Sequence, residues 1–245
     1  MTEQLYRADA YLQTCQARVL GTSERGGIVL DRTVFYPTSG GQPGDAGVLV
    51  AAGGRPFAVA TAVYDADKAT IVHVPATAGD VPETGALVTA RLDWPTRHRH
   101  MRVHTALHLL CALVPFPVTG GQIAADGGRL DFDIADPDAV SKEDLTARIN
   151  ALIAADHRLG ERWISDEEMA ANPQLVRTMS VKPPMGAGRV RLVAIGENDA
   201  VDLQPCGGTH VRSTAEIGGI AVERIENKGK QNRRIRLALL DGPPA

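Results

Sequence analysis

Cysteine is scarce in this chain. Cys15, Cys111 and Cys206 are the only three in 245 residues, too few and too scattered for a disulfide scaffold. Aromatic residues make up 4%, so a core must be built mainly from Val, Ile, Leu and Ala. No apolar run approaches the roughly 18 residues that a membrane helix needs. The opening MTEQLYRADAYLQTCQARV carries acids and polar groups where a secretory signal has a continuous apolar stretch. Together these absences predict a soluble, reduced, cytoplasmic protein. A large excess of charge is lacking too: the net charge is −3, with 22% charged and 44% hydrophobic residues, which excludes wholesale disorder. The length suits one large domain or two smaller ones, and a chain of this size buries about 70% of its unfolded surface.

Charge is more informative by region. Up to residue 94 there are 7 Lys and Arg against 10 acids, and beyond it 19 of each. The second part opens with Arg97, Arg99 and Arg102 among histidines, and ends with Arg224, Lys228, Lys230, Arg233, Arg234 and Arg236 against Glu223 and Glu226. Local basic clusters on a mildly acidic chain suggest a docking surface for a polyanion. From charge alone they are equally well the solvated faces of a helix and a strand.

Residues 1–94 predict β structure. Short apolar runs at 27–30, 47–50, 56–63 and 69–74 are separated by Gly, Pro and Asp, as in a small antiparallel barrel. At Asp93-Trp94-Pro95 the pattern changes: Asp93 can cap a helix, and Pro95 is tolerated in its first turn. The helix should stop at Pro115. A second helix is expected over 141–159, with Ser141 and Asp144 as an approximate capping box and Gly160 as its stop. A third opens at Ser165 and ends near Pro173. Strands are expected at 129–134, 188–195, 201–204, 219–225 and 234–240. The fold class is therefore α+β: an N-terminal antiparallel β-barrel over 1–94, then an α+β domain over 95–245.

His104 and His108, four apart on the predicted helix, project from one face, a spacing that can offer two nitrogens to one metal. Alone, the pair is as readily two partly buried histidines. In Gln204-Pro-Cys-Gly-Gly-Thr-His210, a tight turn brings Cys206 and His210 together. Two helical histidines with a Cys and a His from a turn make an N₃S set that suits one zinc ion per chain. Cys111, one turn further along the helix, could shadow a ligand but reads as a core cysteine. A third feature is FYPTSGGQPGD, residues 35–45. Its glycines, Gly40 and Gly41 among them, let the backbone approach a ligand closely, and Thr38, Ser39 and Gln42 add hydrogen-bonding groups. The bland alternative is an exposed barrel loop. Gly-Gly-Gln also occurs in peptide-release factors, but a triplet decides nothing.

In order and spacing, FYPTSGGQPGD, RVHTALHLL, GGQIA, QPCGGTHV and the basic strand KGKQNRRIRL resemble the editing domain of alanyl-tRNA synthetases and the free-standing AlaX editing proteins. The resemblance runs from about Thr33 to Leu240 and leaves no room for an aminoacylation domain, so it implies a trans-acting editor. It implies a small barrel followed by an editing domain like that of threonyl- and alanyl-tRNA synthetases. The implied activity is zinc-dependent hydrolysis of mischarged tRNA(Ala), chiefly seryl-tRNA(Ala), with glycyl-tRNA(Ala) as a further possibility. His104, His108, Cys206 and His210 match the family's metal ligands. Gln122, in GGQIA, matches a position beside the substrate or water, and Thr38 matches the sensor of the amino-acid side chain; with Cys206 these are the implied catalytic residues. Thr38, Gly40, Gly41 and Gln42 would bind substrate, and Arg97, Arg99, Arg102, Lys228, Lys230, Arg233 and Arg234 would hold the tRNA. Two further functions compete: a zinc-stabilised tRNA-binding module without chemistry, and a zinc esterase for a small molecule, which would have no need of basic clusters.

Overall fold

A computed structural model describes Thr2–Met179, Gly188–Gly229 and Gln231–Leu240. The chain divides into two compact units, Met1–His98 and Arg99–Ala245. Among the described residues no helix is long and apolar enough to cross a membrane.

In the first unit β1 (Glu3–Gln4) pairs in parallel with β4 (Arg32–Thr33). The remaining strands are β2 (Thr14–Thr22), β3 (Ile28–Leu30), β5 (Gly47–Ala51), β6 (Pro56–Tyr64), β7 (Ile71–Pro75) and β8 (Leu87–Leu92). They close into a barrel in the order β2-β3-β7-β6-β5-β8. Every pairing around it is antiparallel, as the apolar runs predicted. Alternation explains the closure. Phe57 and Val59 on β6, and Val88, Ala90 and Leu92 on β8, turn inward while their neighbours face out. Each large apolar side chain so buried contributes about 1.5–3 kcal/mol. Where β5 begins beside β8, Gly47 leaves the room needed: a Cβ there would stand 2.3 Å from the Arg91 carbonyl. His73 is wholly inside. Its Nδ1 donates to the Ile28 carbonyl at 3.1 Å, so Nε2 accepts from Thr33 Oγ1 at 2.7 Å. Burial pushes this ring down to about 4, and it stays neutral.

The first helix, α1 (Trp94–Leu113), is introduced by Asp93, whose Oδ2 accepts from Thr96 Oγ1 at 2.8 Å. Four residues in, Arg97 is fully buried. Its Nε donates to both Asp45 oxygens at 2.9 Å, Nη1 to the Ala10 carbonyl at 3.0 Å, and Nη2 to the Val34 carbonyl at 2.8 Å and to Asp45. A guanidinium with this set of partners is withdrawn from solvent and from any phosphate. Its expected place among the tRNA contacts is corrected accordingly.

Among its described residues the second unit holds two antiparallel sheets. One has the order β14-β15-β10-β9, from β14 (Gly219–Asn227), β15 (Asn232–Leu240), β10 (Gly127–Asp133) and β9 (Val118–Ile123). The other runs β11 (Leu159–Ser165), β12 (Arg189–Ile195), β13 (Asp202–Pro205). Gly128 lets α1 settle on β10: a Cβ there would meet Val103 at 2.8 Å and Leu107 at 3.1 Å. The helix α2 (Lys142–Ala154) is capped by Ser141 and buries Leu145, Ile149 and Ile153, which share one face. Asn150 ties it to the sheet edge, donating to the Ile220 carbonyl at 2.8 Å and accepting from Ile220 N at 3.0 Å. The helix ends five residues before the expected 159. Asp156 takes a left-handed φ of 51°, and the chain turns into β11, where the expected stop Gly160 pairs with Ala194. The short helix α3 (Asp166–Ala171) has the full capping box, Ser165 Oγ accepting from Glu168 N at 3.0 Å and Glu168 Oε2 from Ser165 N at 2.8 Å.

Candidate functional site

The pitch of α1 sets His104 and His108 one above the other, with ring centroids 5.3 Å apart. Strand β13 ends directly before Cys206, and the Gly207-Gly208-Thr209 turn returns the chain so that the His210 ring meets those of His104 and His108, at 4.2 Å tilted and 4.5 Å edge-on. The four candidate ligand atoms lie within 4.8 Å of one another. Cys206 Sγ stands 3.5 Å from His104 Nε2 and 3.3 Å from His210 Nε2. A tetrahedral ion with nitrogen and sulfur ligands at normal bond lengths holds such pairs about 3.5 Å apart, so the spacing fits. The three histidines are buried and Cys206 is partly exposed.

Three sets of contacts hold this cluster. His108 Nδ1 donates to Asp202 Oδ2 at 3.0 Å, and Gln204 Nε2 donates to the same oxygen at 2.7 Å. Thr105 Oγ1 meets His210 Nδ1 at 3.1 Å and accepts from Val211 N at 3.4 Å. With Nδ1 of His108 and of His210 so engaged, Nε2 of each is presented to an ion. Arg191 straps the turn: its Nη1 donates to the carbonyls of Cys206 and Gly208, both at 2.9 Å, while Nη2 pairs with Glu161 at 2.6 Å. Gly208 N donates to Cys206 Sγ at 3.4 Å.

The electrostatics suit a metal-binding thiolate. Burial would raise the Cys206 thiol, but the charges of His104 and His210 and hydrogen bonds from His104 and His108 hold it well below its usual value. Burial also opposes a charged His108, yet Asp202 and Cys206 raise that ring to about 9. His210 is pushed well below the usual range by burial and by the neighbouring imidazoles. Cys111 is buried, and burial raises its thiol to about 12; the four-ligand cluster does not include it.

Gln122 lies on β9 opposite Arg129 and accepts from its Nε at 3.3 Å. Ile123 and Gly128, the next pair along, point toward α1, so Gln122 faces the other way, away from the helix that carries two ligands. In the glycine loop, Ser39 and Gln42 exchange backbone hydrogen bonds across Gly40 and Gly41, whose φ values of 55° and 82° are those of a two-residue hairpin turn. The glycines here serve the turn. Thr38 is exposed, its hydroxyl donating to the Ala62 carbonyl at 3.4 Å and accepting from Gly44 N at 2.9 Å. Gln42 is wholly buried, which corrects its expected place on an accessible binding loop.

Among the expected tRNA contacts, Arg99 donates to the Ala125 carbonyl and pairs with Asp126, and Arg102 donates to the Ile217 carbonyl. Arg233 is buried, its guanidinium turned to the carbonyls of Asn232 and Ala135, and is corrected with Arg97. Arg234 grips Asp131 with two hydrogen bonds, at 2.7 and 2.8 Å. Lys228 is exposed, and Lys230 lies outside the described residues. Sequence reasoning missed Thr105, Arg191, Asp202 and Gln204. A signal for two of them was present: Asp202, Gln204 and Cys206 alternate, as residues on one face of a strand do.

Two family models match the chain: Threonyl and Alanyl tRNA synthetase second additional domain over residues 190–236, and tRNA synthetases class II (A) over residues 10–96. The alanyl-tRNA editing protein AlaX-M of Methanosarcina mazei is 36% identical over 98% of this chain and 98% of its own length. That of Methanosarcina acetivorans is 35% identical over 98% of this chain and 100% of its own. The alanine–tRNA ligase of Pyrobaculum calidifontis is 33% identical over 92% of this chain, which spans 25% of the ligase. On this identity over nearly the whole length of both chains, the protein belongs to the AlaX family of alanyl-tRNA editing proteins.

Proposed function

We propose that this protein is a trans-acting hydrolase that deacylates mischarged tRNA(Ala), chiefly seryl-tRNA(Ala), with one zinc ion held by His104, His108, Cys206 and His210. In this reading residues 1–94 are the barrel domain and 95–245 the editing domain. The observation that carries it is the convergence of three imidazoles and a thiol within 4.8 Å in a chain whose relatives are named for alanyl-tRNA editing. The donor set suits zinc: imidazole nitrogens oriented by Asp202 and Thr105 behind them, and a thiol already biased toward thiolate. Bound there, zinc would supply Lewis-acid polarisation of the ester or a hold on the substrate amine. The chain's own groups do the positioning. Arg191 fixes the ligand turn, and the partly exposed Cys206 marks the side of the cluster open to substrate.

Selectivity poses a separate demand. Alanine is smaller than serine and enters any pocket that serine enters, so size cannot protect the cognate ester. A site that hydrogen-bonds the serine hydroxyl can reject an analogue lacking it by as much as about 10⁴–10⁵. Thr38, assigned this role by the family resemblance, uses its donor on Ala62 and one acceptor site on Gly44, which leaves one lone pair for a substrate hydroxyl.

One observation favours a second reading. Four protein ligands fill a tetrahedral site, as in structural zinc centres, and a zinc-stabilised tRNA-binding module would look the same. The deciding experiment is incubation of the zinc-loaded protein with seryl-tRNA(Ala) and measurement of free serine. Release well above buffer supports hydrolysis; binding without release establishes the module.

A further inference from the structure

We infer that the exposed face of the four-stranded sheet is the docking surface for the phosphate backbone of the RNA, and that its central element is a cross-strand row of three arginines, Arg129, Arg236 and Arg224. This deepens the proposed function and rests on its reading of the substrate as a tRNA.

The register makes the row. Arg129 on β10 lies directly opposite Arg236 on β15, and Arg236 directly opposite Arg224 on β14, with Gln122 of β9 completing the line beyond Arg129. Their neighbours along the strands, Leu130, Ile235 and Leu237, are buried on the other face, so the three guanidinia share the outer one. Their side chains are 23%, 37% and 68% exposed in the order Arg129, Arg236, Arg224.

Like charges directly opposite one another destabilise a sheet. The adjacent row offsets only part of this. Asp131 is shared by Arg129 and Arg234, and Glu226 by Arg224, Arg236 and Lys228. Five cations thus contact two carboxylates, and this group keeps a positive excess. Arg234, with its bidentate hold on Asp131, is the buttress of this arrangement, whereas Arg224, Arg236 and Lys228 make longer contacts of 3.3–3.9 Å and can turn outward. The outer arginines sit two strand spacings apart, about 9–10 Å between backbones. That is too far for one small anion to bridge and suited to successive phosphates of a polyanion. Guanidinium forks match phosphate oxygens in pairs.

The experiment compares tRNA(Ala) binding across a salt series for the wild-type protein, for Arg129→Gln/Arg224→Gln/Arg236→Gln, and for Arg148→Ala, an exposed arginine on α2. Removing one cation–phosphate pairing should flatten the slope of log K against log salt by about 0.7–0.9, so the triple variant should lose about 2.1–2.7 and Arg148→Ala nothing. In seryl-tRNA(Ala) hydrolysis the triple variant should show a raised KM with kcat retained. Should the triple variant fold poorly, Arg224→Gln alone, at the most exposed of the three, should lower the slope by the amount of a single pairing. A wild-type slope in these variants overturns the surface, and so does tighter binding of phosphatidylserine vesicles than of tRNA by the wild-type protein. A wild-type protein that never releases serine, yet whose tRNA affinity still falls on these substitutions, refutes the hydrolase reading and leaves the surface standing.

Discussion

Replacing Asp202 with Asn tests whether a carboxylate behind His108 sets the metal affinity. Asp202 Oδ2 accepts from both His108 Nδ1 and Gln204 Nε2, while its Oδ1 is buried without a hydrogen bond. Asn keeps the shape and removes the charge. With its oxygen at the Oδ2 place, both donors are still received, but the amide NH₂ then occupies the buried position without a partner, at a cost of about 1–3 kcal/mol. Flipped, it opposes two donors with a third. Losing an outer partner of this type usually weakens metal binding about 10–100-fold, or about 1.4–2.7 kcal/mol.

A second effect runs the other way. Against the pull of burial, Asp202 and Cys206 raise His108 to about 9 in the metal-free protein. Below that pH a proton must leave before the ring can bind a metal, and near pH 7 this competition weakens binding about 100-fold. Wild-type affinity should therefore climb as pH rises toward 9 and gain nothing more from this group above it. D202N removes one of the two groups that raise the ring, Cys206 remaining, so its proton competition ends at lower pH. Near pH 7 the relief of competition offsets part of the deficit, and above pH 9 the variant should show the full deficit of about 10–100-fold. Competition against a chelator at pH 6.5, 7.5 and 9 reads this directly. A variant-to-wild-type ratio that stays constant across the series would refute the reasoning.

Three further outcomes are expected. Arg97→Ala leaves Asp45 buried and uncompensated, and should cost about 3–5 kcal/mol in denaturant unfolding with no change in zinc content; a loss below 1 kcal/mol would contradict the buried pair. Cys206→Ala removes the only sulfur ligand, so elemental analysis should find little zinc and serine release should fall sharply, whereas retained zinc and activity would exclude the assigned site. Thr38→Val keeps the shape of the loop and removes the hydroxyl. It should slow seryl-tRNA(Ala) hydrolysis and reduce discrimination against alanyl-tRNA(Ala), and an unchanged ratio of the two rates excludes Thr38 as the sensor.

The features legible in the sequence were those set by local geometry. The alternation in Pro56–Tyr64 predicts a barrel strand because a strand's period shows in a few residues. His104 and His108 follow from helix pitch, and Cys206 and His210 from a five-residue turn. Strands β9 and β11 were not foreseen: Val-Thr-Gly-Gly-Gln-Ile carries two glycines, and Leu-Gly-Glu-Arg-Trp-Ile-Ser is mostly exposed. Their pairing with β10 and β12 supplies what their composition lacks. The partners of the metal ligands were hidden for another reason. His108 and Asp202 are 94 residues apart, and no spacing rule connects a helix face to a strand brought to it by tertiary packing.

Charge is the property that sequence order reports least faithfully. Arg97 and Arg99 stand two residues apart in one basic cluster, yet one is sealed against Asp45 and the other reaches Asp126 at the surface. Arg233 and Arg234 are adjacent, and the strand's alternation turns one inward to backbone carbonyls and the other outward to Asp131. Conversely Arg129, far from either cluster in sequence, joins Arg236 and Arg224 because three strands align them. A run of basic residues fixes only how many cations are nearby in the chain. Which of them face solvent together is decided by strand period and register, and which keep a net charge by the carboxylates the fold sets beside them. Arg224, Arg236 and Arg129 meet both conditions; Arg97 meets neither, and Arg233 fails the first.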